Sequence, residues 1–173
     1  LKGTDQISRK AVAMGAKPVA PLRAVEFLEK LKALEIKLPI ELITCPGIMG
    51  EKEAKTASFS ATILPMAVKP ETTAEDTKSA VKLLFRSKVD LIVFVGGDGT
   101  AKDILDAMRG LNGLPVLGVP SGVKMYSGIF SVNPSEAAEV VKAYVEKEAE
   151  MMDFEIMDAD ESVIRTADRF AVR

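Results

Sequence analysis

Asp90-Leu-Ile-Val-Phe-Val-Gly-Gly-Asp-Gly-Thr100 is the stretch whose reading decides the fold. Leu91 to Val95 are consecutive apolar residues rich in β-branching, the signature of a strand buried on both faces of a parallel sheet. Such sheets place ligands beyond the carboxyl ends of their strands. Gly96, Gly97 and Gly99 carry no Cβ to hold a phosphate off the backbone. Thr100 is placed to N-cap a helix over Ala101–Gly110, whose free amides would face an anion. Asp98 is the odd residue. A carboxylate among anion-binding amides would repel phosphate, so it reads as a proton acceptor or a magnesium contact. A plain strand-to-helix connection has the same pattern, and context must decide between them.

Working outward, the chain alternates helix and strand. Helices are expected over Pro21–Leu34, Gly50–Ala57, Thr73–Ser87, Ala101–Arg109 and Pro134–Lys147, with strands over Ile40–Thr44, Ser60–Met66, Leu91–Val95 and Pro115–Val119. The first helix is expected to turn Leu22, Val25, Leu28, Leu31 and Leu34 inward. The Thr73 helix would bury Ala80, Val81, Leu84 and Phe85, and the last would bury Ala137, Val140, Val141 and Tyr144. Repeated strand-helix units predict an α/β fold, a doubly wound parallel sheet with flanking helices.

Composition narrows the chemistry. The 173 residues are 47% apolar and 28% charged, enough for one core. A net charge of −2 and an isoelectric point near 5.4 offer no basic field for nucleic acid or anionic membrane. With no histidine and a single cysteine, Cys45, this chain holds no Ser-His-Asp triad, no His-ligated zinc and no internal disulfide. No apolar run approaches the ~20 residues of a membrane span, and no leader opens the sequence. A cytoplasmic protein is the expectation.

Neither a Walker P-loop nor a complete dinucleotide fingerprint occurs. Instead Gly96-Gly-Asp-Gly-Thr100 resembles the signature shared by NAD kinases, diacylglycerol and sphingosine kinases and, more distantly, phosphofructokinases. Leu1-Lys-Gly-Thr-Asp5, Gly15-Ala-Lys-Pro18, Glu71-Thr-Thr-Ala-Glu-Asp-Thr77 and Gly118-Val-Pro-Ser-Gly-Val-Lys-Met-Tyr-Ser127 point to the ATP-NAD kinase-like branch that includes acetoin-catabolism X-type proteins. NAD kinases commonly show an Asn-x-Gly type turn where this sequence has Pro120-Ser-Gly122.

The resemblance implies a kinase that transfers a phosphoryl group from ATP, or polyphosphate, to the 2′-hydroxyl of NAD, giving NADP. Asp98 would be catalytic, orienting or deprotonating the acceptor hydroxyl. Gly96, Gly97, Gly99, Thr100, Ser121, Gly122 and Lys124 would bind nucleotide, with Tyr126 and Ser127 as further hydroxyl donors. Thr73 is a helix start by its capping-box spacing and also a candidate ribose or phosphate contact. Magnesium should arrive with the nucleotide rather than in a protein cage. Asp158, Asp160 and Glu161 are better read as a helix cap than as a metal site, so no metal ligands are assigned.

The resemblance further implies a nucleotide-binding α/β domain over residues 1–158, and over 159–173 a connection into a second, β-rich domain. A first strand with its own glycine-rich turn is expected ahead of Leu1, and apolar surface at the domain junction predicts homo-oligomers. Two rivals stay open. One is a lipid or other small-molecule kinase of the same superfamily, the other a non-catalytic nucleotide-binding regulatory protein.

Overall fold

The computed structural model describes residues 18–111, 113–122, 125–153 and 156. The amino-terminal Leu1–Asp5 loop, Lys124, the acidic patch at Asp158 to Glu161 and the 159–173 connection therefore lie outside the described residues. Five α-helices and four strands are present among the rest: α1 Val19–Ala33, β1 Leu42–Thr44, α2 Glu51–Thr56, β2 Ala61–Ile63, α3 Ala74–Arg86, β3 Ile92–Gly96, α4 Asp98–Met108, β4 Val116–Pro120 and α5 Pro134–Val145. A short 3-10 turn, Gly47–Met49, separates β1 from α2.

The fold is α/β with parallel strands. β1 pairs with β2 and β3 with β4, each pair parallel and joined through a helix. The described strands thus form two short ladders rather than one continuous sheet. β3 carries the alternation expected of a strand covered on both faces. Ile92 and Phe94 enter a cluster with Val81 of α3 and Ala101, Ile104 and Ala107 of α4. Val93 and Val95 pack against the opposite cluster, built on Phe27, Leu28 and Leu31 of α1, Ala54 of α2 and Ala137, Ala138 and Val141 of α5. Helices cover both faces.

The helix faces follow the 3.6-residue period more closely than the spacing-of-three expectation for α1 did. Steps of three residues retreat about 60° each around a helix, so five such residues cannot share one face. Phe27, Leu28 and Leu31 are buried, whereas Leu22 is 62% exposed. Val140, expected inward on α5, is likewise exposed while its neighbour Val141 is buried. On α3, Ala80 and Val81 are buried as expected, Leu84 and Phe85 are only half-buried, and Thr73 and Ser87, expected inside the helix, are its caps.

Candidate functional site

β3 ends at Gly96, opposite Pro120 in the ladder, and the Ser121 amide donates to the Gly96 carbonyl at 3.0 Å. The turn after β3 and the turn after β4 therefore sit side by side at the carboxyl edge of the sheet. Gly96, Gly97, Asp98, Gly99, Thr100, Ser121 and Gly122 come together there, as the sequence spacing implied.

The helix begins earlier than expected. α4 starts at Asp98 with Gly97 as its N-cap residue, so Thr100 lies in the first turn instead of capping it. Thr100 has a different task. A Cβ on Gly96 would lie 2.6 Å from Thr100 Oγ1 and 2.8 Å from Thr100 Cβ, so this glycine is required by packing within the protein. Gly97 differs. Its backbone is extended, with φ −125° and ψ −169°, and no protein atom lies within 4 Å of where its Cβ would stand. No side chain caps the start of α4, and its first helical backbone bond is from the Ala101 amide to the Gly97 carbonyl at 3.1 Å. The amides of Asp98, Gly99 and Thr100 lack backbone partners among the described residues, as the geometry of a helix start dictates.

Asp98 is held by the facing loop. Its Oδ2 accepts from the Tyr126 amide at 3.0 Å, and its Oδ1 accepts from the Ser127 amide at 3.1 Å and from Ser127 Oγ at 2.5 Å. Three donors from the loop after β4 thus share the charge, and a carboxylate in a helix's first turn is also favoured by the helix dipole. Asp98 ties the start of α4 to a loop 28 and 29 residues away. Ser127 is buried, whereas Tyr126 is exposed. No sequence spacing announced that clamp. Oδ2 accepts one bond from the described residues and retains acceptor capacity.

Thr73 caps α3 with Asp76. The Asp76 carboxylate accepts from the Thr73 amide at 2.8 Å and from Thr73 Oγ1 at 2.9 Å. These bonds, the backbone one first, hold the Asp76 carboxyl below its usual value. Thr73 itself is exposed. Its neighbour Thr72, together with Thr77 of α3 and Thr100, lines a cavity of about 420 Å³ that runs beside β3. Glu53 of α2 also lines it and was missed by sequence reasoning, because a lone glutamate in a short charged helix reads as solvated surface. The chain brings no group of three His, Cys, Asp or Glu into metal-binding proximity among the described residues. No described helix is long and apolar enough to cross a membrane.

Comparison with curated proteins and with solved structures gave no match. The sequence model of the ATP-NAD kinase N-terminal domain, however, matches residues 16–149, a span holding every described strand and helix and both turns of the site. By that match this chain belongs to the ATP-NAD kinase family, of which it carries the N-terminal domain.

Proposed function

We propose that this chain is the nucleotide-binding part of a kinase that moves a phosphoryl group from ATP, or from polyphosphate, to the 2′-hydroxyl of NAD to give NADP. The observation that carries this reading is the pairing, at one sheet edge, of an uncapped helix start with a carboxylate fixed by the facing loop. Phosphoryl transfer asks little covalent chemistry of the protein. It asks for aligned phosphates, neutralised charge and an oriented acceptor oxygen. Gly97 leaves room for a phosphate to approach the backbone, and the amides of Asp98, Gly99 and Thr100 point their donors at that side. Ser121 and Gly122 form the facing turn, and Lys124 is assigned a phosphate contact from sequence alone. Asp98 orients the acceptor hydroxyl through Oδ2, and its fixed position is what makes that orientation effective.

Magnesium would arrive with the nucleotide, bound chiefly through its phosphates. Thr73, engaged as a cap, contributes by placing Thr72 on the cavity wall. We place the protein in the cytoplasm and expect self-association through exposed apolar residues such as Val132, Met151 and Met152.

One observation favours a second reading. The three donors on Asp98 suit a structural clamp equally well, which is what a non-catalytic nucleotide-binding protein would need. The deciding experiment offers NAD and NADH separately, with ATP or polyphosphate, to the longest form of the protein that contains this chain. NADP or NADPH formation supports the kinase reading. ATP binding without product from either acceptor overturns it in favour of another acceptor, such as a lipid, or a regulatory role.

A further inference from the structure

Between β4 and α5 the chain leaves the sheet and comes back to it. At the departure the Ser121 amide bonds the Gly96 carbonyl at 3.0 Å. On the return, the Gly118 amide donates to the Ile129 carbonyl and the Gly118 carbonyl accepts from the Ser131 amide, both at 2.9 Å. A residue of a parallel strand turns its N–H and C=O to one side, so these bonds lie on the edge of β4 away from β3. Phe130 forms a single bridge with Gly118 there.

Side chains lock that return. A Cβ on Gly118 would collide with Phe130 Cδ1 and lie 2.7 Å from its Cε1, so the bare glycine is what admits the ring. The ring also meets Phe94 of β3 edge-on, with centroids 5.4 Å apart and planes at 64°. Ser131 Oγ donates between the Gly118 and Asn133 carbonyls, at 3.3 and 3.0 Å. Both ends of the loop are thus pinned to the strands that carry the Gly97 turn, and its reach toward Asp98 is set by the sheet. Within it Ser127 is only 6% exposed.

The two oxygens of Asp98 are not held alike. The terminal torsion of an aspartate is broad, so the plane of this carboxylate is set by its partners rather than by its own rotamer. Neighbouring amides grip one oxygen each, Tyr126 on Oδ2 at 3.0 Å and Ser127 on Oδ1 at 3.1 Å. Alone, they would leave the oxygens equivalent, each with a lone pair open to water or substrate. The Ser127 hydroxyl ends that equivalence. At 2.5 Å from Oδ1, the short separation of a hydroxyl on a carboxylate, it takes that oxygen's second lone pair and leaves the accepting capacity on Oδ2.

We propose that Ser127 is a positioning residue for phosphoryl transfer: its buried hydroxyl closes Oδ1 of Asp98, so that Oδ2 alone receives the acceptor hydroxyl. The role rests on the kinase reading of the site. Ser127 touches neither substrate and acts through Asp98. Orientation matters at the reacting atoms, whereas phosphates and acceptor are bound by other groups, so its loss costs turnover rather than binding.

Steady-state kinetics on the longest form of the protein that contains this chain tests it, with ATP affinity and melting temperature measured alongside. Ser127→Ala should lower kcat about 10- to 100-fold, while KM for the acceptor and Kd for ATP stay within about twofold. Ser131→Ala is the control. It also deletes a hydroxyl from this loop, but one bonded to carbonyls of the return, and its kcat should stay within about twofold of the parent's. If Ser127→Ala does not fold, Ser127→Cys, close in size but a weak donor, takes its place with the same expected loss. An unchanged kcat in the Ser127 variant, a loss that falls on KM or ATP affinity instead, or an equal loss in Ser131→Ala overturns the role of Ser127 and leaves the kinase reading standing. A parent that forms no product from any acceptor overturns the kinase reading, and the role of Ser127 falls with it.

Discussion

Changing Gly96 and Gly97 to alanine, one at a time, separates packing from ligand binding in adjacent residues. At Gly96 the new methyl meets Thr100 Oγ1 at 2.6 Å and Thr100 Cβ at 2.8 Å, inside a buried position. Overpacking of that kind costs about 1–3 kcal/mol. At roughly 2–4 °C per kcal/mol for a chain of this size, the melting temperature should fall by about 2–12 °C. At Gly97 the methyl meets nothing, and φ is −125°, so no left-handed strain is relieved or created. Loss of some unfolded-state entropy, about 0.4–1 kcal/mol in favour of Gly97→Ala, roughly offsets the ~0.5–1 kcal/mol lost at the N-cap. The melting temperature should hold. A phosphate, however, must now stand off from the amides. Loss of one charge-assisted hydrogen bond, about 1.5–3 kcal/mol, weakens ATP binding roughly 10- to 100-fold. Thermal unfolding and titration calorimetry on both variants read the two effects. Unchanged ATP affinity in folded Gly97→Ala would refute the anion-site reasoning, and an unchanged melting temperature in Gly96→Ala would refute the packing reasoning.

Asp98→Asn retains size but removes the charge that three donors hold, so NADP formation in the full-length protein should drop by about 10²- to 10⁴-fold with ATP affinity largely kept; near-normal turnover would remove Asp98 from the chemistry. Ser127→Ala deletes the 2.5 Å bond to Asp98 Oδ1 and leaves both loop amides in place. It should cost about 1–2 kcal/mol by denaturant titration, and no loss would show that the amides alone hold the clamp. Because its bonds to Thr73 lower the Asp76 carboxyl below its ordinary value of 3.8, that group favours the folded chain above this pH, and the benefit is lost as pH falls through the lowered value. Asp76→Asn should therefore flatten the acid limb of the stability-pH curve, and an acid limb identical to the parent's would contradict the capping geometry. Burial pushes the Cys45 thiol up to about 11, so alkylation at pH 8 should label the chain only after unfolding in urea.

Much of the chain was legible because its signals are local. The apolar run into Gly96, the capping spacing at Thr73 and Asp76, and the helix start at Pro134 all act within one turn of backbone. Strand-helix alternation then implied parallel pairing, and the glycine turns fell together at the carboxyl edge of β3 and β4. Elsewhere the local signal misled. Thr100 looks like a cap by residue type, yet the helix begins at Asp98 and Thr100 packs onto Gly96 instead. The leucines of α1 repeat at a spacing that precesses around the helix, so the buried face fell on Phe27, Leu28 and Leu31.

The sequence by itself determined that a strand ends in an open glycine turn carrying one carboxylate, since residue type and spacing fix those backbone possibilities. Only the tertiary structure decided what that carboxylate touches. Its partners, Tyr126 and Ser127, come from a separate strand's exit loop, and their approach depends on β3 and β4 pairing in register. The same holds for Glu53. Its burial on the cavity wall follows from how α2 packs against α1, and no pattern along the chain encodes it. Local order is written in neighbouring residues, whereas a site is written in distances between segments that only the packed core brings together.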